Sequence, residues 1–195
     1  MTRHDKKNTK LRRAIFFDRD GVINKPVIRN GKPYPPDRLE DLEIYPEAAE
    51  ACRLLKEAGF LLVVVTNQPD VRRGRMNQSA VEAIHNRLRS LLPVDSIEIS
   101  YAMNDEEPDS FRRKPQPGML LEAAQKYAIN LSQSFMLGDR WRDVNCGHAA
   151  GCVTIFIDRG YKELLDVQPD FRASHILEAA KIILANQKFA ISRAL

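Results

Sequence analysis

Short, wholly apolar runs recur along this chain, and each breaks off in polar residues. Residues 14–17 (AIFF), 60–65 (FLLVVV) and 153–157 (VTIFI) have the unbroken aromatic and β-branched character of strands covered on both faces. Two further short runs, 96–101 (SIEISY, alternating) and 134–137 (SFML), predict two more strands. Helical spacing fills the intervals. One helix opens at Pro46, carries Ala48, Ala49, Cys52, Leu55 and Ala58 on one side, and ends at Gly59. Others are predicted over 78–92 (capped by Asn77 or Ser79), 119–127, 141–150 and 174–186. Alternating strands and helices predict an α/β fold: one doubly wound, mostly parallel, Rossmann-like sheet. Three proline- or arginine-rich stretches, 25–42, 69–77 and 102–117, show neither period and are expected to be loops. Right-handed crossovers would gather the polar strand ends Asp18, Thr66 and Asp139 on one edge.

Composition narrows the class. The 195 residues suit one domain with a sizeable core, and 44% apolar with 29% charged is ordinary for a globular protein. No apolar run approaches the roughly 20 residues of a membrane span, and the basic N-terminus lacks the apolar centre of a secretory signal. Three scattered cysteines make no disulfide framework, so a reducing cytoplasm is the expected compartment. The net charge of +4 favours acidic partners. Much of it lies in the first thirteen residues, so the expected layout is a flexible basic tail (1–12) before a single domain (13–190).

The first apolar run ends in the chemistry. Asp18 and Asp20 flank one arginine, and Gly21 follows. Two carboxylates so close repel, which predicts a positive partner between them. Mg²⁺ fits, because hard carboxylate oxygens suit it.

FFDRDGVIN resembles the first motif of the haloacid dehalogenase superfamily of phosphotransferases. VVVTNQ, RKPQPG and LGDRWRDV follow in the superfamily's order, so the resemblance runs from about residue 14 to 157. It implies Asp18 as nucleophile through an aspartyl-phosphate and Asp20 as general acid and base. It implies Thr66 and Lys114 around the reacting phosphate, and Asp139 as a further Mg²⁺ ligand. Asp143, one helical turn on, is expected to act on the metal at one remove or through water. Together Asp18, Asp20, Asp139 and Asp143 form the expected metal set. Within the superfamily, the segments with the Arg73-Gly74 pair look like the D-glycero-D-manno-heptose-1,7-bisphosphate phosphatases and their histidinol-phosphatase relatives. These lack a large cap domain, and the spacings here leave no room for one. Asn67, Gln68, Arg73, Arg113 and Arg140 are then the substrate-binding candidates.

Two departures stand out. Many members hold zinc in a Cys-x-His … Cys-x-Cys loop before the Arg-Lys-Pro segment. Here Ala102, Asn104, Ser110 and Arg112 occupy those places, so no zinc is expected. The loop over 25–42 is also longer and proline-rich. The leading expectation is a Mg²⁺-dependent phosphatase of a sugar bisphosphate, the heptose bisphosphate first, in a monomer or weak dimer. Histidinol-phosphate phosphatase, polynucleotide 3′-phosphatase and a non-catalytic sugar-phosphate binder are the alternatives. A nucleic-acid substrate is disfavoured, since no aromatic-rich groove for stacking bases is visible.

Overall fold

The computed structural model describes residues 11–29 and 32–187. The basic tail expected over 1–12 falls mostly outside them, although Arg12 is tied down, its N–H donating to the Ala128 carbonyl at 2.7 Å.

Five runs become the strands predicted from the pattern: β1 (Ala14–Phe17), β4 (Leu61–Asn67), β5 (Ser96–Ser100), β6 (Phe135–Gly138) and β7 (Val153–Ile157). A sixth, β8 (Phe171–Ala173), joins the edge beside β7. Every pairing in this sheet is parallel, in the order β5-β4-β1-β6-β7-β8. Ignoring the small hairpin described below, that is 3-2-1-4-5-6, the doubly wound order in which ligands sit where the winding reverses. The reversal lies between β1 and β6, so Asp18 and Asp139 emerge on either side of it.

Alternation along β1 feeds two cores. Ile15 and Phe17 face one layer, with Leu62, Val64, Leu137 and residues of α1 (Ala48–Glu57), α3 (Gln78–Leu91) and α6 (Ile176–Ala185). Ala14 and Phe16 face the other, with Val63, Val65 and Met136 against α4 (Gly118–Tyr127) and α5 (Trp141–Ala149). All four β1 residues are fully buried, which is why the run carries no polar position.

The loop expected over 25–42 is corrected: it contains an antiparallel hairpin, β2 (Val27–Arg29) with β3 (Lys32–Tyr34), and a 3₁₀ turn at Leu39–Asp41. Pro33 lies opposite Ile28 in this two-stranded ribbon, where both strands are edges and tolerate proline. The Asn-Gly pair between the strands is the usual hairpin signal, masked in the sequence by four prolines. The arginine-rich stretch likewise opens with a short helix, α2 (Pro69–Arg72). Asn77 stands at the start of α3 but makes no capping bond with its side chain. β8, three residues long, is too short to show a period in the sequence; Thr154 and Asp170 lash it on, Thr154 N donating to Asp170 Oδ2 at 2.8 Å and Thr154 Oγ1 to the same oxygen at 3.0 Å. No helix among the described residues is long and apolar enough to cross a membrane.

Candidate active site

β1 and β6 deliver the first carboxylates. Asp18 N donates to the Leu137 carbonyl at 2.8 Å, prolonging the ladder one residue beyond the strand. The chain then folds over itself: Ile23 N and Asn24 N both donate to the Arg19 carbonyl, and Gly21 N donates to that of Asn24. Gly21 has φ +88°, and a Cβ there would stand 1.9 Å from Asp139 Oδ2. Gly138 is needed for a similar reason, since its Cβ would fall 2.0 Å from that of Asp143. These two glycines let the acid-bearing segments touch.

Lys114 is the hub. Its Nζ donates to Asp143 Oδ1 at 2.7 Å, Asp18 Oδ1 at 2.9 Å and the Val65 carbonyl at 2.9 Å, so all three N–H groups are engaged. Its backbone is held too: Lys114 N donates to Asn67 Oδ1 at 3.1 Å, while Asn67 Nδ2 donates to the Lys114 carbonyl at 3.0 Å. Asn67 therefore ties the end of β4 to the lysine. Burial alone would depress the ammonium, but Asp143 and Asp18 outweigh it and raise its pKa.

Oxygens of Asp18, Asp139 and Asp143 lie within 4.8 Å of one another. One lysine cannot neutralise three carboxylates. Burial and then Asp143 push Asp18 up to about 7, and burial with the neighbouring Asp18 raises Asp139 well above the ordinary range. Asp139 Oδ1 is buried without a hydrogen-bond partner. Oxygen-only donors, surplus negative charge and an unpaired buried oxygen suit a hard divalent cation. Asp143 belongs to this cluster directly, closer in than its expected place.

Asp20 does not join it. The positive partner expected between the two acids is, for Asp20, the arginine between them in sequence. Arg19 folds back so that Nε reaches both Asp20 oxygens at 3.2 Å and its terminal NH2 reaches Oδ2 at 3.0 Å. Asn24 Nδ2 donates to Oδ1 at 2.9 Å and Gln68 Nε2 to Oδ2 at 3.0 Å. Gln68 also donates to Thr66 Oγ1 at 2.9 Å, and Gln68 is buried behind the cleft instead of lining it.

The cleft above these groups is walled by Thr66, Asn67, Arg73, Arg113 and Arg140 from the expected set. Arg73 is paired with Asp70 at 3.1 Å. Arg113 donates to the Ala102 carbonyl at 2.8 Å. Its pKa is lowered by burial and then by Arg142 and Arg73, the mark of crowded positive charge. Arg140 is gripped in a fork by Glu163: its Nε donates to both carboxylate oxygens at 3.0 Å and its terminal NH2 to Oε1 at 2.8 Å. Pro26, Pro33, Tyr34 and Pro35 of the hairpin segment supply an apolar part of the wall.

The arrangement has known counterparts. The family model for HAD-hydrolase-like proteins matches residues 111–181. A D-glycero-D-manno-heptose-1,7-bisphosphate 7-phosphatase of Thermosynechococcus vestitus is 32% identical over 193 residues, covering 88% of this chain and 95% of its own. The D-glycero-beta-D-manno-heptose-1,7-bisphosphate 7-phosphatase of Escherichia coli K12 is 34% identical, over 77% of this chain and 81% of its own. This chain belongs to the haloacid dehalogenase superfamily, in the heptose-bisphosphate phosphatase family. The crystal structure of the B. bronchiseptica D,D-heptose 1,7-bisphosphate phosphatase, complexed with magnesium and phosphate, superposes with a TM-score of 0.75 at 25% identity. It covers 89% of this chain and 99% of that one. As a member of this family the protein is a phosphatase, a hydrolase of phosphoric monoesters.

Against that family background, several groups around the site stayed hidden in the sequence. Arg19 was visible between the acids, but its direction was not. Arg142 stands in the cleft wall on the first turn of α5, and Glu163 and Arg159 come from the segment after β7. Arg159 Nε donates to the Gly21 carbonyl at 2.7 Å and its guanidinium lies 4.0 Å from the centre of the Tyr45 ring. Only spatial neighbourhood marks such residues.

Proposed function

We propose that this phosphatase hydrolyses a sugar bisphosphate, D-glycero-D-manno-heptose 1,7-bisphosphate first among them, through an aspartyl-phosphate on Asp18. The observation that carries the reading is the placement of Asp18. It sits at the strand end where the winding reverses, held by Lys114 and beside Asp139 and Asp143, in a chain whose relatives bear that substrate in their names.

Asp18 Oδ attacks phosphorus in line, and the bond to the leaving oxygen breaks. Asp20 hands that oxygen a proton, then takes one from the water that hydrolyses the aspartyl-phosphate. The donors around Asp20 hold its carboxylate in one orientation for both transfers. Thr66 and the β4 end contact a phosphoryl oxygen, and Lys114 supplies fixed positive charge below it. Asp18, Asp139 and Asp143 would hold Mg²⁺, which when bound offsets the repulsion between carboxylate and phosphate. Asp20 serves proton transfer, its carboxylate being occupied elsewhere. The loop over 102–117 offers neither cysteine nor histidine, so zinc has no place in this reading.

A second, non-reacting phosphate gives the crowded arginines a partner. Arg73 and Arg113 line the cleft, and a phosphate between them would form charge-assisted forks and relieve their mutual repulsion. That binding energy orients the reacting end. The test is a panel of sugar phosphates and bisphosphates, histidinol phosphate, 3′-phosphorylated oligonucleotides and an aryl phosphate, with Mg²⁺ or with EDTA. Hydrolysis should be fastest on the heptose bisphosphate and abolished by EDTA. Arg73→Ala should cost about 10-fold or more in kcat/KM on the bisphosphate and little on the aryl ester. Equal losses on both would remove the second-phosphate contact.

A further inference from the structure

If Asp20 is the proton donor and acceptor proposed above, the side chains behind it acquire a purpose. Arg19 is fully buried, with two edges of its guanidinium in use. One edge grips Asp20. The other turns away from the cleft, and its NH1 lies 3.0 Å from His85 Nε2. A guanidinium can only donate, so Nε2 accepts and the imidazole carries its proton on Nδ1. Burial and the charge of Arg19 push His85 down to about 3, which keeps it neutral. His85 rides on the apolar face of α3 with Val81, Ile84 and Leu88, all buried, so helix packing fixes where its ring stands.

We infer that His85 is a positioning residue for the hydrolysis: by anchoring Arg19, it sets the orientation of the Asp20 carboxylate that gives and takes the proton. An arginine beside a carboxylate has many rotamers in which some contact survives. A second anchor on the far edge of the guanidinium selects one. That anchor belongs to a helix that supplies no other polar group to the site. Asn24 and Gln68 then lock Asp20 from its remaining sides, at 2.9 and 3.0 Å. His85 touches neither the cleft nor the carboxylate cluster, so its effect on rate must pass through Arg19 and Asp20.

The test uses leaving-group chemistry. Phosphoryl transfer to Asp18 from an alkyl phosphate needs a proton for the departing oxygen; transfer from p-nitrophenyl phosphate does not. The alkyl ester is the sugar phosphate best hydrolysed in the panel above, assayed with Mg²⁺. His85→Leu, which removes the acceptor, should lower kcat/KM on the alkyl ester about 10–100-fold and on the nitrophenyl ester less than about 3-fold. His85→Gln, whose amide oxygen can accept from Arg19, should return the alkyl value to within about 3-fold of wild type. Should the leucine variant not fold, His85→Asn replaces it with the same expectation, since its shorter amide stops short of Arg19. Equal losses on the two esters, or a folded glutamine variant that rescues nothing, would overturn the inference. Wild-type enzyme that hydrolyses no alkyl phosphate in the panel would remove the proposed substrate class instead, which keeps the two failures apart.

Discussion

Asp18 and Asp20 are separated by one residue, yet they inhabit opposite electrostatic surroundings. Asp18 shares one lysine with Asp139 and Asp143, is left with excess negative charge, and is pushed up to about 7 by burial and then Asp143. Asp20 receives bonds from a buried guanidinium and two amides. The first pocket has one positive charge for three carboxylates; the second is saturated with donors. Local repulsion between neighbouring acids was therefore the wrong scale for the problem. Each acid finds its counter-charge in three dimensions, Lys114 from 96 residues later for one and the adjoining Arg19 for the other.

Substitution with the nearly isosteric asparagine should separate the two pockets. Asp18→Asn should cut turnover by about 10³-fold or more, because an amide cannot form the acyl phosphate. Its stability should move the other way. Folded Asp18 keeps its proton up to about 7, whereas the unfolded chain loses it near 3.8, so stability falls as pH rises through that window. In EDTA at pH 8, Asp18→Asn should therefore unfold at higher urea than wild type, by about 4 kcal/mol, with the gap closing towards pH 4. A less stable variant at pH 8 would mean that the first pocket is not short of positive charge.

Asp20→Asn should slow hydrolysis of alkyl phosphates by about 10²–10⁴-fold, and aryl phosphates less. Here stability should drop, by about 2 kcal/mol at pH 8, because the buried Arg19 loses its charged partner. Opposite signs for the two asparagine variants are the sharpest expression of the contrast.

The smallest effect concerns the back of the second pocket. His85 is held neutral, protonating in the folded protein only near 3, while the unfolded chain takes up the proton near 6.5. Stability is thus lost as pH falls between those values. Between pH 7 and pH 5 wild type should lose about 2 kcal/mol more than His85→Gln in urea unfolding. Parallel losses would show that the imidazole is not desolvated as its burial implies.

The strands and the ordered motifs were legible because they are local. AIFF is apolar at every position since both of its faces are covered, and the acids follow at the strand end. The hairpin over Val27–Tyr34 was hidden by its prolines, which mark loops more often than edge strands. β8 was hidden because three residues give no period to read. The direction of Arg19 and the role of Asn67 were beyond reach for a different reason. Their partners, His85 and Lys114, lie 66 and 47 residues away, and neither spacing nor composition encodes such a distance. His85 in particular looks like any buried residue of an amphipathic helix.

The central position of β1 also governs when the enzyme comes into being. Ile15 pairs with Leu62 on one side and with Phe135 on the other, so the strand that bears Asp18 waits for a partner made 120 residues later. A nascent chain that stops short of β6 has an unpaired edge on β1 and no Asp139 or Asp143. Such non-local pairing is slow to form and leaves sticky edges in the interval. The gain is that partial products of synthesis or proteolysis lacking β6 carry no complete carboxylate cluster, and so cannot act on the cell's phosphate esters through it.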